Sequence, residues 1–132
     1  MNFKIVQKGK TGMLLRANKD RIFDNLNTLS TFNSCPEQEG ITRALFSEAE
    51  IGARNYVKEL MTQAGLVVTE DAIGNICGTL VGSCPDLAPV WSGSHVDTVR
   101  NGGMYDGMVG VIGAIEACRM IKENNISHQR SI

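Results

Sequence analysis

The 132-residue sequence predicts an α/β domain in which a sheet is flanked by helices. Three observations carry that expectation. Two stretches in the first half repeat their apolar residues at helical spacing, short β-branched runs bounded by turn residues follow them, and a long final helix has an apolar face too broad for a surface helix.

The first helix is expected over Asn18 to Phe32, where Ile22, Phe23, Leu26 and Leu29 lie three and four residues apart among polar residues. Asn33 to Gly40 is a loop by composition. The second helix has clearer boundaries. Ser47 and Glu50 form a capping box, and Ala53, Tyr56, Val57, Leu60, Met61 and Ala64 then recur at helical spacing. Gly65 stands where a C-terminal glycine belongs.

Leu66 to Thr69 and Ile76 to Val81 are expected strands, joined by a turn over Asp71 to Asn75. After a loop from Gly82 to Asp86, Val90 to Val99 reads as a third strand whose polar end opens on a site. A long helix is expected from Asp106 to about Glu123. Its face carries Met108, Val111, Ile112, Ile115, Cys118 and Ile121, while Gly110, Gly113, Ala114 and Ala117 are small enough to let it lie close on a sheet. Arg130-Ser131-Ile132 begins a further strand at the end of the sequence, so the fold reads as unfinished.

Composition narrows the function. Apolar residues make up 42% and the net charge is −1, which gives no electrostatic reason for nucleic acid or an anionic membrane as partner. No apolar stretch approaches a membrane span and Met1 to Lys10 lacks a signal-peptide core, so a cytoplasmic protein is expected. Cys35, Cys77, Cys84 and Cys118 are widely and irregularly spaced, which suggests reduced, mostly buried thiols.

His95 and Asp97, two apart at the end of the expected strand, point to one face. That spacing suits a metal-bound imidazole whose other nitrogen is held by a carboxylate. Asp106 follows the glycine-bearing loop Asn101-Gly102-Gly103, where a carboxylate can bridge two divalent metals roughly 3.5–4 Å apart. Each feature also has a plainer reading. An H-x-D triplet is common by chance, Asp106 alone is a helix N-cap, the glycines are turn residues, and His128 is a solvated tail residue.

Taken jointly, the pattern is more specific. Gly93-Ser94-His95-Val96-Asp97-Thr98-Val99, followed by Asn101-Gly102-Gly103-Met104-Tyr105-Asp106-Gly107-Met108-Val109-Gly110-Val111, resembles the metal-binding signature of the aminoacylase-like metallopeptidase superfamily. Within it the closer likeness is to the amidohydrolases that cleave N-carbamoyl amino acids, allantoate and ureidoglycolate. Ile41-Thr42-Arg43 and Glu70-Asp71-Ala72-Ile73-Gly74-Asn75-Ile76 also look like that family, and the likeness runs from about Asp20 to Asn124.

The resemblance implies an incomplete catalytic domain of a two-metal aminopeptidase-like fold. Residues 1–17 would be an N-terminal segment and 18–132 the N-terminal part of that domain, with a small dimerisation domain outside it. It further implies two Zn or Mn ions, with His95 as a terminal ligand, Asp106 as the bridging ligand and Asp97 as the carboxylate that orients the imidazole. A small ureido or carbamoyl substrate and a homodimeric parent enzyme follow from the same likeness. Arg43 and Asn75 match family sequence and are read as structural.

The family's Glu-Glu pair, its two later histidines and its substrate-binding residues have no counterpart here. The chain alone is therefore expected to be inactive, to bind metal weakly and to be sticky or oligomeric. Three other readings stand beside this one. They are a dipeptidase or aminoacylase of the same superfamily, a non-catalytic module that keeps a remnant of the site, and a generic α/β domain with coincidental His and Asp positions.

Overall fold

Asn18 starts the first long helix by accepting the backbone N–H of Arg21 on its side chain. In the computed structural model, which describes residues 3–5 and 13–132, that helix follows a small antiparallel hairpin, β1 (Phe3–Ile5) with β2 (Met13–Leu15). The sequence reading gave only a terminal segment there. Helix α1 (Lys19–Thr31) buries Leu26 and Leu29, and α2 (Glu48–Gln63) buries Ala53, Val57 and Leu60. Both faces meet α3 (Met108–Glu123), whose Met108, Val111, Ile112, Ile115 and Cys118 complete a single core.

The ends of α2 follow the expected chemistry with one change. The Ser47 side chain accepts from Glu50 N at 3.2 Å, but the Glu50 carboxylate accepts from Phe46 N rather than Ser47 N. Ser47 N is already bonded to Ala44 O, so Glu50 reaches one residue further back. Gly65 takes φ +74°, as a C-terminal glycine should.

Strands β3 (Val67–Glu70) and β4 (Ile76–Thr79) pair antiparallel, Val67 facing Thr79 and Glu70 facing Ile76. Asp71 closes the turn between them, accepting from Ile73 N, Asn75 N and the Asn75 side chain. Asn75 therefore has a structural role, as read from the sequence.

Val90 to Val99 does not form the expected strand. No regular strand is formed there, and Thr98 N to Arg43 O and Val90 N to Ser131 O are the backbone bonds its amides make among the described residues. Period and composition give an extended chain, whereas a strand also needs a partner along its length. Arg130–Ile132 does pair, because Leu80 and Ile132 exchange both backbone hydrogen bonds at 2.9 and 3.0 Å. His128 is likewise not a solvated tail residue. It is half-buried, its carbonyl accepts from Ser83 N, and its Nε2 is buried without a partner.

Helix α3 is less enclosed than expected, since Gly113 and Ala117 are exposed and a Cβ at Gly113 would meet nothing. Gly110 does allow close approach, because a Cβ there would lie 2.7 Å from Ser94 Cβ. Of the cysteines, all unpaired, Cys118 alone is fully buried, Cys35 and Cys77 are half-buried and Cys84 is exposed. Among the described residues no helix is long and apolar enough to cross a membrane.

Two guanidinium groups, one half-buried and one fully buried, tie the elements together. Arg21 pairs with Glu116, 4% exposed, at 2.7 Å and also bonds Glu123, which raises its pKa chiefly through the Glu116 hydrogen bond. Arg43 is fully buried. Its guanidinium donates to Leu29 O at 2.6 Å, Phe32 O at 2.9 Å and Val96 O at 2.6 Å, and lies 3.0 Å from Met108 Sδ. Burial lowers its pKa, opposed by the negative charges of Asp97 and Glu50.

Replacing Arg43 with leucine would remove the donor to Phe32 O and Val96 O and leave Leu29 O only its long bond from Phe32 N, at a cost of roughly 3–5 kcal/mol. Urea unfolding should register that loss, and lysine, without the planar fork, should recover only part of it. A change under about 0.5 kcal/mol would deny the clasp its role.

The turn supplies a pH prediction. Hydrogen bonds, first from the Asn75 side chain and then from its backbone, hold the Asp71 carboxyl below its ordinary value. The ionised form is thus favoured by folding, so its contribution is complete above the unfolded pKa of about 4 and fades as pH falls through the lower folded value. Asp71→Ala should destabilise the chain more at pH 7 than at about pH 2. An equal effect at both would reject the assignment.

Candidate metal centre

The segment that carries His95 and Asp97 is held from its flank. Arg43 Nε grips Val96 O, the carbonyl between the two residues, and Arg43 N donates to Thr98 Oγ1 at 2.9 Å. Thr98 Oγ1 in turn donates to Ile41 O, and Ile41 and Gly102 exchange backbone hydrogen bonds of 2.9 and 2.8 Å. Residues 41–43 therefore act as a short brace for 96–102.

His95 Nδ1 lies 3.3 Å from Asp97 Oδ1 and 3.0 Å from Asp97 O. Both oxygens are acceptors, so Nδ1 must carry the hydrogen of the neutral ring and Nε2 is left with a free lone pair. The two side chains are about half exposed, at 49% and 45%.

Asp106 is exposed, with no hydrogen bond or ion pair among the described residues. It does not cap α3. The N-cap is Gly107 at φ +74°, with no side-chain cap bond. That glycine explains how the two halves of the site meet, because a Cβ there would stand 2.5 Å from His95 O and 2.7 and 2.8 Å from its ring atoms Cε1 and Nδ1. The imidazole edge thus rests on the peptide next to Asp106, and only glycine fits that place.

Among the described residues no three His, Cys, Asp or Glu side chains come together as a cation site. The donors present are one imidazole and one unengaged carboxylate, suited in type to zinc or manganese but too few to complete either sphere. Sequence reasoning identified His95, Asp97 and Asp106. It missed Gly107 as the seat of the ring and left Arg43 without a task, although a glycine one residue before an apolar helix was a usable signal for the first.

Gly107→Ala forces a Cβ onto the ring and onto an unfavourable φ. A loss of about 1–3 kcal/mol is expected, together with changed His95 imidazole resonances. Unaltered stability and unaltered resonances would refute the packing described.

No family model matches the chain. Individual relatives do. The ureidoglycolate hydrolase of Arabidopsis thaliana is 44% identical over 109 residues, 83% of this chain and 23% of that protein. An N-carbamoyl-L-amino-acid amidohydrolase of Paenarthrobacter aurescens is 42% identical over 84% of this chain and 26% of its own length. Among solved structures, the crystal structure of AtUAH in complex with glyoxylate superposes with a TM-score of 0.84 at 42% identity, covering 89% of this chain and 27% of that one.

The chain spans about a quarter of the length of the relatives it matches. Over that quarter it is a homologue of these amidohydrolases and shares their α/β fold. The likeness drawn from the Ser94–Thr98 and Tyr105–Gly107 motifs pointed to the same proteins.

Proposed function

We propose that this chain contributes to a two-metal hydrolase of linear amide or ureido C–N bonds, of the N-carbamoyl amino acid, allantoate or ureidoglycolate type. The observation that carries the reading is the His95–Asp97 pair, with the exposed, unengaged Asp106 one residue from the glycine that seats the ring. The names of the relatives support the substrate class, one being a ureidoglycolate hydrolase and another an N-carbamoyl-L-amino-acid amidohydrolase.

In this reading His95 Nε2 is a terminal ligand to one ion and Asp106 is shared between two, zinc or manganese. Such ions supply a water acidic enough to attack a carbonyl near neutral pH, and they polarise that carbonyl. The chain's own residues orient and hold. Asp97 fixes the imidazole tautomer and makes the ring a better donor. Arg43, through Val96 O, keeps the backbone between ring and carboxylate in place. Among the described residues the buried carboxylate that lines the same cavity as His95 and Asp97, Glu50, is paired with Arg54 at 2.9 Å, and the ligand set is short. We therefore assign the 132 residues weak metal affinity and no turnover by themselves, the complete activity belonging to a homodimeric, cytoplasmic parent enzyme.

Titrating zinc into the chain while following imidazole nitrogen resonances should move His95 Nε2 and leave Nδ1 hydrogen-bonded. Asp97→Asn should weaken that binding by about 10–100-fold. Zinc that leaves His95 unmoved would exclude the site. Robust metal-dependent release of ammonia from N-carbamoyl amino acids, allantoate or ureidoglycolate by these residues alone would overturn the assignment of inactivity.

A further inference from the structure

The candidate ligands His95 and Asp106 are separated by a loop without helix or strand, and the loop contains two adjacent glycines, Gly102 and Gly103. Such a stretch does not fix the placement of its own ends. One fixed point is Gly107, on which the His95 ring rests. The other is Gly102, which is buried and exchanges both backbone hydrogen bonds with Ile41. Only Gly103, Met104 and Tyr105 lie between Gly102 and Asp106.

The Thr98 hydroxyl stands at the junction of these parts. It accepts from Arg43 N at 2.9 Å and donates to Ile41 O at 2.9 Å. Ile41 O also accepts from Gly102 N at 2.8 Å, so side chain and loop converge on one carbonyl. A Cβ on Gly102 would stand 3.2 Å from Thr98 Cβ, which puts the threonine directly against the loop backbone. On the ring side, Thr98 N donates to Arg43 O, and Arg43 Nε holds Val96 O. One residue therefore connects the segment of His95 to the loop of Asp106. Thr42 supports the same loop, its Oγ1 accepting from Asn101 N at 3.0 Å.

We propose that Thr98 is a positioning residue of the candidate metal centre, its hydroxyl setting where the Asp106 loop stands relative to the His95 ring. The role needs a donor and an acceptor on one atom, which serine keeps and valine, of nearly the same shape, lacks. A hydroxyl that served the fold alone would lower stability when removed and leave the zinc affinity of the folded chain unchanged. A positioning hydroxyl decides how much Asp106 contributes to zinc. This role deepens the hydrolase reading and rests on it for zinc binding, but not for the placement of the loop.

The test reads zinc affinity from the His95 resonances in a double-mutant cycle, with circular dichroism confirming that each variant is folded. In the natural chain Asp106→Asn should weaken zinc about tenfold. Thr98→Val should weaken it by a similar factor, and Asp106→Asn should then add less than about twofold. Thr98→Ser should stay within about twofold of the natural chain and keep the full effect of Asp106→Asn. Without metal, a nuclear Overhauser contact between His95 Hε1 and Gly107 Hα should be present in the natural and Thr98→Ser chains and absent in Thr98→Val. Exchange of the Gly102 amide should be about tenfold faster in Thr98→Val. Natural zinc affinity in a folded Thr98→Val chain overturns the proposal, as do independent, additive effects of the two substitutions or an Overhauser contact that persists. If Thr98→Val does not fold, Thr42→Val decides, since it removes the acceptor of Asn101 N and leaves Thr98 intact. It must likewise blunt the effect of Asp106→Asn, and an undiminished effect overturns the proposal. Zinc that moves no His95 resonance in the natural chain ends the hydrolase reading, and the Overhauser contact and Gly102 exchange then decide alone.

Discussion

A single buried guanidinium organises this structure. Arg43 has no exposed surface, and its three carbonyl partners belong to parts of the chain far apart in sequence, the end of α1 and the segment between His95 and Asp97. A charge so buried is tolerated only with its donors satisfied. The converse also holds. The carbonyls of Leu29 and Phe32 lie at the end of α1, where Leu29 O accepts a long bond of 3.3 Å from Phe32 N, and Arg43 donates to both. Helix, brace and site segment are therefore fixed by the same set of hydrogen bonds.

From that clasp the candidate centre follows by short steps. Arg43 holds Val96, Thr98 is bonded to both Arg43 and Ile41, and Ile41 is bridged to Gly102. The turn that follows delivers Gly107 beneath the His95 ring and so sets Asp106 one residue from it. On the far side of α3, the Arg21–Glu116 pair anchors the helix to α1. The imidazole is consequently placed by backbone contacts at its flank, with about half of its side chain exposed.

That openness matches the incomplete secondary structure around it. Trp91 to Asp97 is braced by Arg43 at Val96 O, its amides make no backbone hydrogen bond among the described residues, and a cavity of about 420 Å³ lies beside it. The relatives, about four times longer, carry this α/β stretch within a larger chain.

Sequence by itself determined the helices, the ends of α2, the β3–β4 hairpin and the choice of candidate ligands. Those features rest on local chemistry, such as the period of Leu26 and Leu29, the Ser47 hydroxyl, Gly65 and the Asp71 turn. Only the tertiary structure decided that Val90–Val99 lacks a strand partner, that Arg43 clasps two distant segments, that His128 is half-buried, and that Gly107 rather than Asp106 caps α3. Each of these depends on which groups from remote positions come within hydrogen-bond or van der Waals reach, and periodicity along a single chain does not encode that meeting.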